Sequence, residues 1–196
     1  GEKFAPTRQQ QDIVDSVNAG QDVAVNAKAG TGKTSTLEAL SRRVPDRNII
    51  YVAFNKSVQT EAEGRMPSNV ESRTGHSLAF QASPKWMKDR AYGKSDKYKN
   101  PLVKPNDIAN HLGIRGAVPN TNGKNMPNNR VALGVMKTVN NFSNSVDDEI
   151  LDIHMPDYFD NLTPASRARV LDWANAAWLD LNDENGRLKI TPDHYR

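Results

Sequence analysis

Apolar positions recur along this chain at two spacings, and their order sets the expected architecture. Ile13, Val14 and Val17 repeat at helical spacing behind Thr7-Arg8-Gln9-Gln10, a helix start with Thr7 at the N-cap. A β-branched run, Val23-Ala24-Val25, leads into a glycine-rich turn, and residues 35–43 then read as a helix that ends before Pro45. Residues 49–54 are almost continuously apolar, as in a parallel strand buried on both faces, so 23–25 and 49–54 are expected to frame a βαβ unit. A helix follows over 55–62 with Asn55 as its N-cap, and residues 70–74 suit a third short strand.

The texture changes at Ser83. Residues 84–123 are rich in Lys, Asn, Gly and Pro, with little periodicity beyond Ile108-Ala109 and Leu112, and 120–129 reads as a loop. Val131, Val135, Met136, Val139 and Phe142 then predict a helix over 130–142. Thr163-Pro164 opens another, running to about Leu181 with Val170, Leu171, Ala174, Ala177, Trp178 and Leu181 on one face. Both stripes read as core, not as a cofactor box. Residues 188–191 are expected to return the chain toward the first sheet. The fold class is therefore α/β, an incomplete parallel sheet over 1–83 with a mainly helical insertion over 84–187.

Composition narrows the classes. At 196 residues the chain is long enough for one good core, or for a core plus a smaller inserted domain. No apolar run approaches the roughly 18 residues of a membrane span, so no membrane partner is expected. Nothing at the start resembles an export signal; the expected location is intracellular, cytoplasmic in a bacterium or phage and nuclear in a eukaryote. Cysteine is absent, and four scattered histidines show no metal-ligand spacing. A first residue of Gly rather than Met suggests a processed chain or a fragment.

The net charge of +3 is small, but its distribution is uneven. Residues 85–104 carry seven Lys or Arg against Asp89 and Asp96, with Trp86, Tyr92 and Tyr98 among them. Residues 147–160 carry six acids and no Lys or Arg. The first stretch is either a face for a polyanion, with Lys85, Trp86 and Lys88 as contacts, or a solvated lysine-rich loop.

The most specific chemistry lies at Ala27-Lys28-Ala29-Gly30-Thr31-Gly32-Lys33-Thr34, between the expected strand and helix. Glycines there let backbone N–H groups curl around phosphates, and the helix that follows adds the positive end of its dipole. Ala29, Gly30, Thr31, Gly32 and Ser35 would line the cradle, Lys33 would reach the β- and γ-phosphates, and the Thr34 hydroxyl would hold Mg²⁺. Ala27 replaces the usual first glycine. Gln10 either closes a capping box with Thr7 or reads an adenine edge, and the nearby phosphate loop favours adenine. Asn55, Lys56 and Ser57, at a helix start, are candidates for a nucleic-acid phosphate; the alternative is a solvated surface lysine. His76 and Ser77, just past the third strand, would lie on the ligand-facing edge of the sheet.

Four of these stretches, in this order and spacing, resemble the superfamily 1 DNA helicases of the UvrD/Rep type, in the branch containing the F-box DNA helicase and related phage helicases. Thr7-Arg8-Gln9-Gln10 resembles the Q motif and residues 27–34 motif I, where the Ala at position 27 is normal. Ala53-Phe54-Asn55-Lys56-Ser57 resembles motif Ia and Thr74-Gly75-His76-Ser77-Leu78-Ala79 motif Ib. The resemblance implies a RecA-like P-loop sheet with a helical 1B subdomain inserted, and ATP and Mg²⁺ as cofactors. It implies that Gln10 contacts adenine, that Lys33 and Thr34 serve hydrolysis, and that Asn55, Lys56, His76 and Ser77 line a path for single-stranded or forked DNA. UvrD-type enzymes carry a base-stacking Phe two residues before the motif Ia Asn, where this chain has Ala53; Phe54 is one position over and in register to point into the sheet.

No Asp-Glu pair ends an apolar strand after residue 80, and Asp148-Glu149 sits in an acidic, loop-like stretch. The resemblance therefore implies the N-terminal part of a DNA helicase, ending ahead of motif II, with the second RecA-like domain of the same protein as its partner. Such a part would bind ATP and hydrolyse it poorly. Two other readings remain at this stage. One is a P-loop kinase or small-molecule ATPase with residues 85–104 as a lid; the other is a non-catalytic nucleic-acid clamp.

Overall fold

The computed structural model describes residues 7–24 and 32–195. It divides into two compact units, Gly1–Leu78 and Ala79–Arg196.

In the first unit, α1 (Arg8–Asn18) starts at a complete capping box between Thr7 and Gln10. α2 (Lys33–Arg43) begins after Gly32, whose φ of 77° places it in the left-handed region that glycine adopts without a Cβ penalty. β1 (Ile49–Ala53), α3 (Lys56–Glu63) and β2 (Val70–Thr74) follow; α4 (Gly75–Ala82) begins in this unit and runs past its last residue, Leu78. The strands pair in parallel, from Ile49 opposite Val70 to Ala53 opposite Thr74, and α3 packs on both. The crossover unit among the described residues is therefore β1-α3-β2. Of the strand expected at 23–25 to form a βαβ unit with 49–54, Val23 and Ala24 are not in a strand, and Val25 lies outside the described residues. Val23 is exposed, so β-branching there does not reflect burial in a sheet.

Polar side chains tie α2 into this unit. Asn69 Nδ2 lies 3.1 Å from the carbonyl oxygens of Ser41, Val44 and Arg47, satisfying groups that the end of a helix leaves unpaired. Arg65 donates to Ser35 Oγ at 3.3 Å and pairs with Glu38 at 3.6 Å.

The second unit is helical among its described residues. α5 (Lys85–Tyr92) and α6 (Pro105–His111) precede the long helices α7 (Asn128–Ser143) and α8 (Pro164–Leu181). α6 and α8 both pack on α7. Thr163 caps α8, its hydroxyl accepting from Ser166 N, with Pro164 at the first position. Val131, Val135 and Val139 of α7 meet Val170, Ala174, Ala177 and Leu181 of α8 in one apolar core. Leu188 and Ile190 are buried in that same core.

A buried arginine ties α5 to the end of α8 and to Leu188. Arg90 donates to the carbonyls of Asp180, Asp183 and Leu188 at 2.6–2.7 Å and to Asp180 Oδ1 at 2.8 Å. Asp180 also accepts from the backbone N–H groups of Arg187 and Leu188, and lies 2.6 Å from His111 Nε2. Burial alone would raise the Asp180 pKa. The two backbone donors, with His111 and Arg90, outweigh it and hold the carboxyl below its ordinary range.

Candidate functional site

Gln10 sits where the first helix meets the helix of the glycine-rich loop. Its Oε1 accepts from Thr7 N at 2.9 Å and its Nε2 donates to Thr36 Oγ1 at 2.9 Å, while Thr36 Oγ1 reaches Gly32 O at 3.1 Å. The capping box is formed, and the same side chain clamps α1 to the first turn of α2. Lys33 is exposed in that turn, with Thr34 and Ser35 half-buried beside it. The Ser35 hydroxyl accepts from Arg65. Ala29, Gly30 and Thr31 lie outside the described residues.

The second cluster is built by strand register. Because Ala53 pairs with Thr74, the chain leaves both strands at the same end of the sheet, and the segments at 54–57 and 75–77 emerge side by side. Carboxyl ends of adjacent parallel strands are where α/β sheets collect ligands. Asn55 Oδ1 accepts from Val58 N at 2.9 Å, so the cap is formed and α3 starts with Lys56 and Ser57 exposed in its first turn. Thr74 Oγ1 accepts from Ser77 N at 3.2 Å, which fixes the turn into α4, and His76 is exposed beside it. Asn55, Lys56, Ser57, His76 and Ser77 thus belong to one end of one unit.

Phe54 departs from expectation. It is 94% exposed, whereas Ala53 is buried. Ile50 and Val52 are exposed as well, so among the described residues β1 is covered on one face and not on both as its apolar run suggests, and Phe54 continues the alternation on the open face.

Between α3 and β2 lies a groove of about 580 Å³, lined among others by Lys56, Gln59, Ser72, Arg73 and Ser77. Two of these residues carry no signal in sequence. Gln59 is an ordinary helix residue by type, yet it is 8% exposed and bonded across to the strand. Ser72 is 6% exposed, and its hydroxyl is buried without a hydrogen-bond partner among the described residues.

In the second unit the basic stretch is structured. Lys85 is exposed and pairs with Asp89 at 2.5 Å; the hydrogen bond and the charge of Asp89 raise its pKa. Trp86 packs against the core and is not a free stacking platform. Lys88 donates to Gln81 O at 2.6 Å and lies over the Phe80 ring at 5.7 Å. Tyr98 is buried, with its hydroxyl donating to Glu184 O. The alternative of a solvated loop thus fails for 85–92, which is α5.

Over 195 residues the chain is 33% identical to F-box DNA helicase protein 1 of Schizosaccharomyces pombe, and over 204 residues it is 31% identical to F-box DNA helicase 1 of Gallus gallus. Each match covers 96% of this chain. The chain is related to the F-box DNA helicases. The superfamily 1 placement is consistent with that relationship. It spans about a fifth of the length of these relatives, 22% and 19% respectively. The likeness to the F-box DNA helicases runs through both units and is not confined to the four motif-like stretches of the first 80 residues. No family model matches the chain, and no solved structure does.

Proposed function

We propose that this chain is the N-terminal, ATP-binding part of an ATP-dependent DNA helicase or translocase of the UvrD-like superfamily 1 branch, a RecA-like 1A core carrying a helical 1B subdomain. In this reading Lys33 and Thr34 bind the phosphates and Mg²⁺ of ATP, with residues 29–32 and Ser35 around them. Gln10 stands beside that cradle through Thr36 and contacts the adenine with the donor capacity its capping role leaves. Asn55, Lys56, Ser57, His76 and Ser77 carry single-stranded DNA across the end of the sheet, with Lys85 and Lys88 adding positive charge in the 1B part and Trp86 supporting them from the core. Hydrolysis and motion require the second RecA-like domain of the same protein.

The observation that carries the reading is the Ala53–Thr74 pairing, which gives two motif-like stretches distant in sequence a common edge. The relationship to proteins named DNA helicases supports it independently. The exposed Phe54 supplies what the shifted motif lacked, an aromatic face beside the first turn of α3 on which a base can stack. Base–aromatic stacking is worth about 1–3 kcal/mol. Phe54→Ala is therefore expected to weaken binding of an unstructured single-stranded oligonucleotide about 5- to 150-fold in a fluorescence-anisotropy titration at fixed salt. Unchanged affinity would remove Phe54 from the path.

A further inference from the structure

The first turn of α3 contains a lysine whose ammonium is held in place. Lys56 Nζ donates to Gln59 Oε1 at 3.1 Å. The other end of that amide is anchored twice: Gln59 Nε2 donates to the backbone carbonyl of Ser72 at 3.0 Å and to Glu63 Oε1 at 2.7 Å. Reversing the amide would set its NH₂ against the ammonium and its oxygen against two acceptors, so the three contacts dictate its orientation. Gln59 is buried, while Lys56 is exposed. A buried amide tied to a strand backbone thus presents its oxygen to an exposed cation at the sheet end.

We propose that Gln59 is a positioning residue for nucleic-acid binding: it holds the Lys56 ammonium at the mouth of the α3–β2 groove, in the place where a backbone phosphate sits. The proposal rests on the reading that Lys56 faces the DNA strand. A lysine stem is flexible, and ordering it costs binding free energy; a lysine already held loses less on capture of a phosphate. The ammonium has three donors, and Gln59 takes one. The neighbouring acids are engaged. Glu63 accepts from Gln59, and Glu71 pairs with Arg73. Ser72, whose hydroxyl is buried without a hydrogen-bond partner among the described residues, also lines the groove. A neutral amide suits this task better than a carboxylate, which would neutralise the lysine that the phosphate needs.

The test is a double-mutant cycle on the intact protein, with binding of an unstructured thymidine oligonucleotide measured across a salt series. Lys56→Ala is expected to weaken binding and to lower the salt slope by about one. Gln59→Met, of similar length but without the amide, is expected to weaken binding by about three- to tenfold at constant salt. In the Lys56→Ala background Gln59→Met should have no further effect, because it acts only through the lysine. Additive losses would overturn the proposal. So would an unchanged affinity in Gln59→Met when Lys56→Ala weakens binding. If Lys56→Ala itself leaves affinity and slope unchanged, the reading of Lys56 falls and this proposal with it. If Gln59→Met does not fold, Gln59→Asn keeps an amide one methylene too short to bridge, and the same cycle decides.

Discussion

His194 is buried with both ring nitrogens engaged. Nδ1 accepts from Thr191 N at 3.0 Å, and Nε2 donates to Asn140 Oδ1 at 2.7 Å. Only the neutral ring satisfies that pattern, since a protonated Nδ1 would face another donor. Burial accordingly lowers the pKa from 6.5 to about 4, with Asp193 opposing the shift and Arg90 adding to it. Above pH 6.5 the ring is neutral in both the folded and the unfolded chain. Between about 6.5 and 4 the unfolded chain binds a proton that the folded one does not, so stability falls as pH falls through this window. The loss from this one residue is on the order of 3 kcal/mol. Urea midpoints at pH 7 and pH 4.5 should therefore separate more in the native chain than in His194→Gln; equal separation would contradict the assignment.

At the scale of elements, the seam between α7 and its neighbours depends on a missing side chain. A β-carbon at Gly134 would overlap the ring of Phe159, which is fully buried. Alanine is the better helix former by about 1 kcal/mol, but overpacking a core costs about 1–3 kcal/mol. Gly134→Ala is thus expected to lower the unfolding free energy by up to about 2 kcal/mol in urea titration. A gain in stability would mean that the ring yields.

How far each element was legible follows from what it buries. α7 and α8 were readable because their buried positions are apolar at regular spacing and Thr163-Pro164 marks a start. α3 was readable from Asn55. α5 was not, because its buried face is Met87 and Arg90, and a buried arginine reads as surface until its carbonyl partners from Asp180 to Leu188 are seen. At Val23 the β-branched signal misled, because no burial accompanies it. At the candidate site, the capped turns at Asn55 and Thr7 are local chemistry and could be read off the chain. Gln59 and Ser72 depend on contacts across 13 residues, and the exposure of Phe54 depends on which face of β1 is covered. Neither leaves a trace in residue type.

At the scale of the molecule, two units with separate duties are expected. The first carries the clustered sheet-end residues and the helix of the glycine-rich loop; the second is a helical body stabilised by its own core and by the Arg90–Asp180 network. Their shared relationship to the F-box DNA helicases makes them parts of one larger motor in our reading. That reading turns on nucleotide, since strand binding alone would serve a passive clamp equally well. The direct measurement is ATP binding and turnover by the 196-residue chain, with and without single-stranded DNA, beside Lys33→Ala. The account predicts saturable, Mg²⁺-dependent binding that Lys33→Ala abolishes, with no DNA-stimulated turnover. Binding indifferent to Lys33→Ala, or strong DNA-stimulated hydrolysis by this chain, would contradict it.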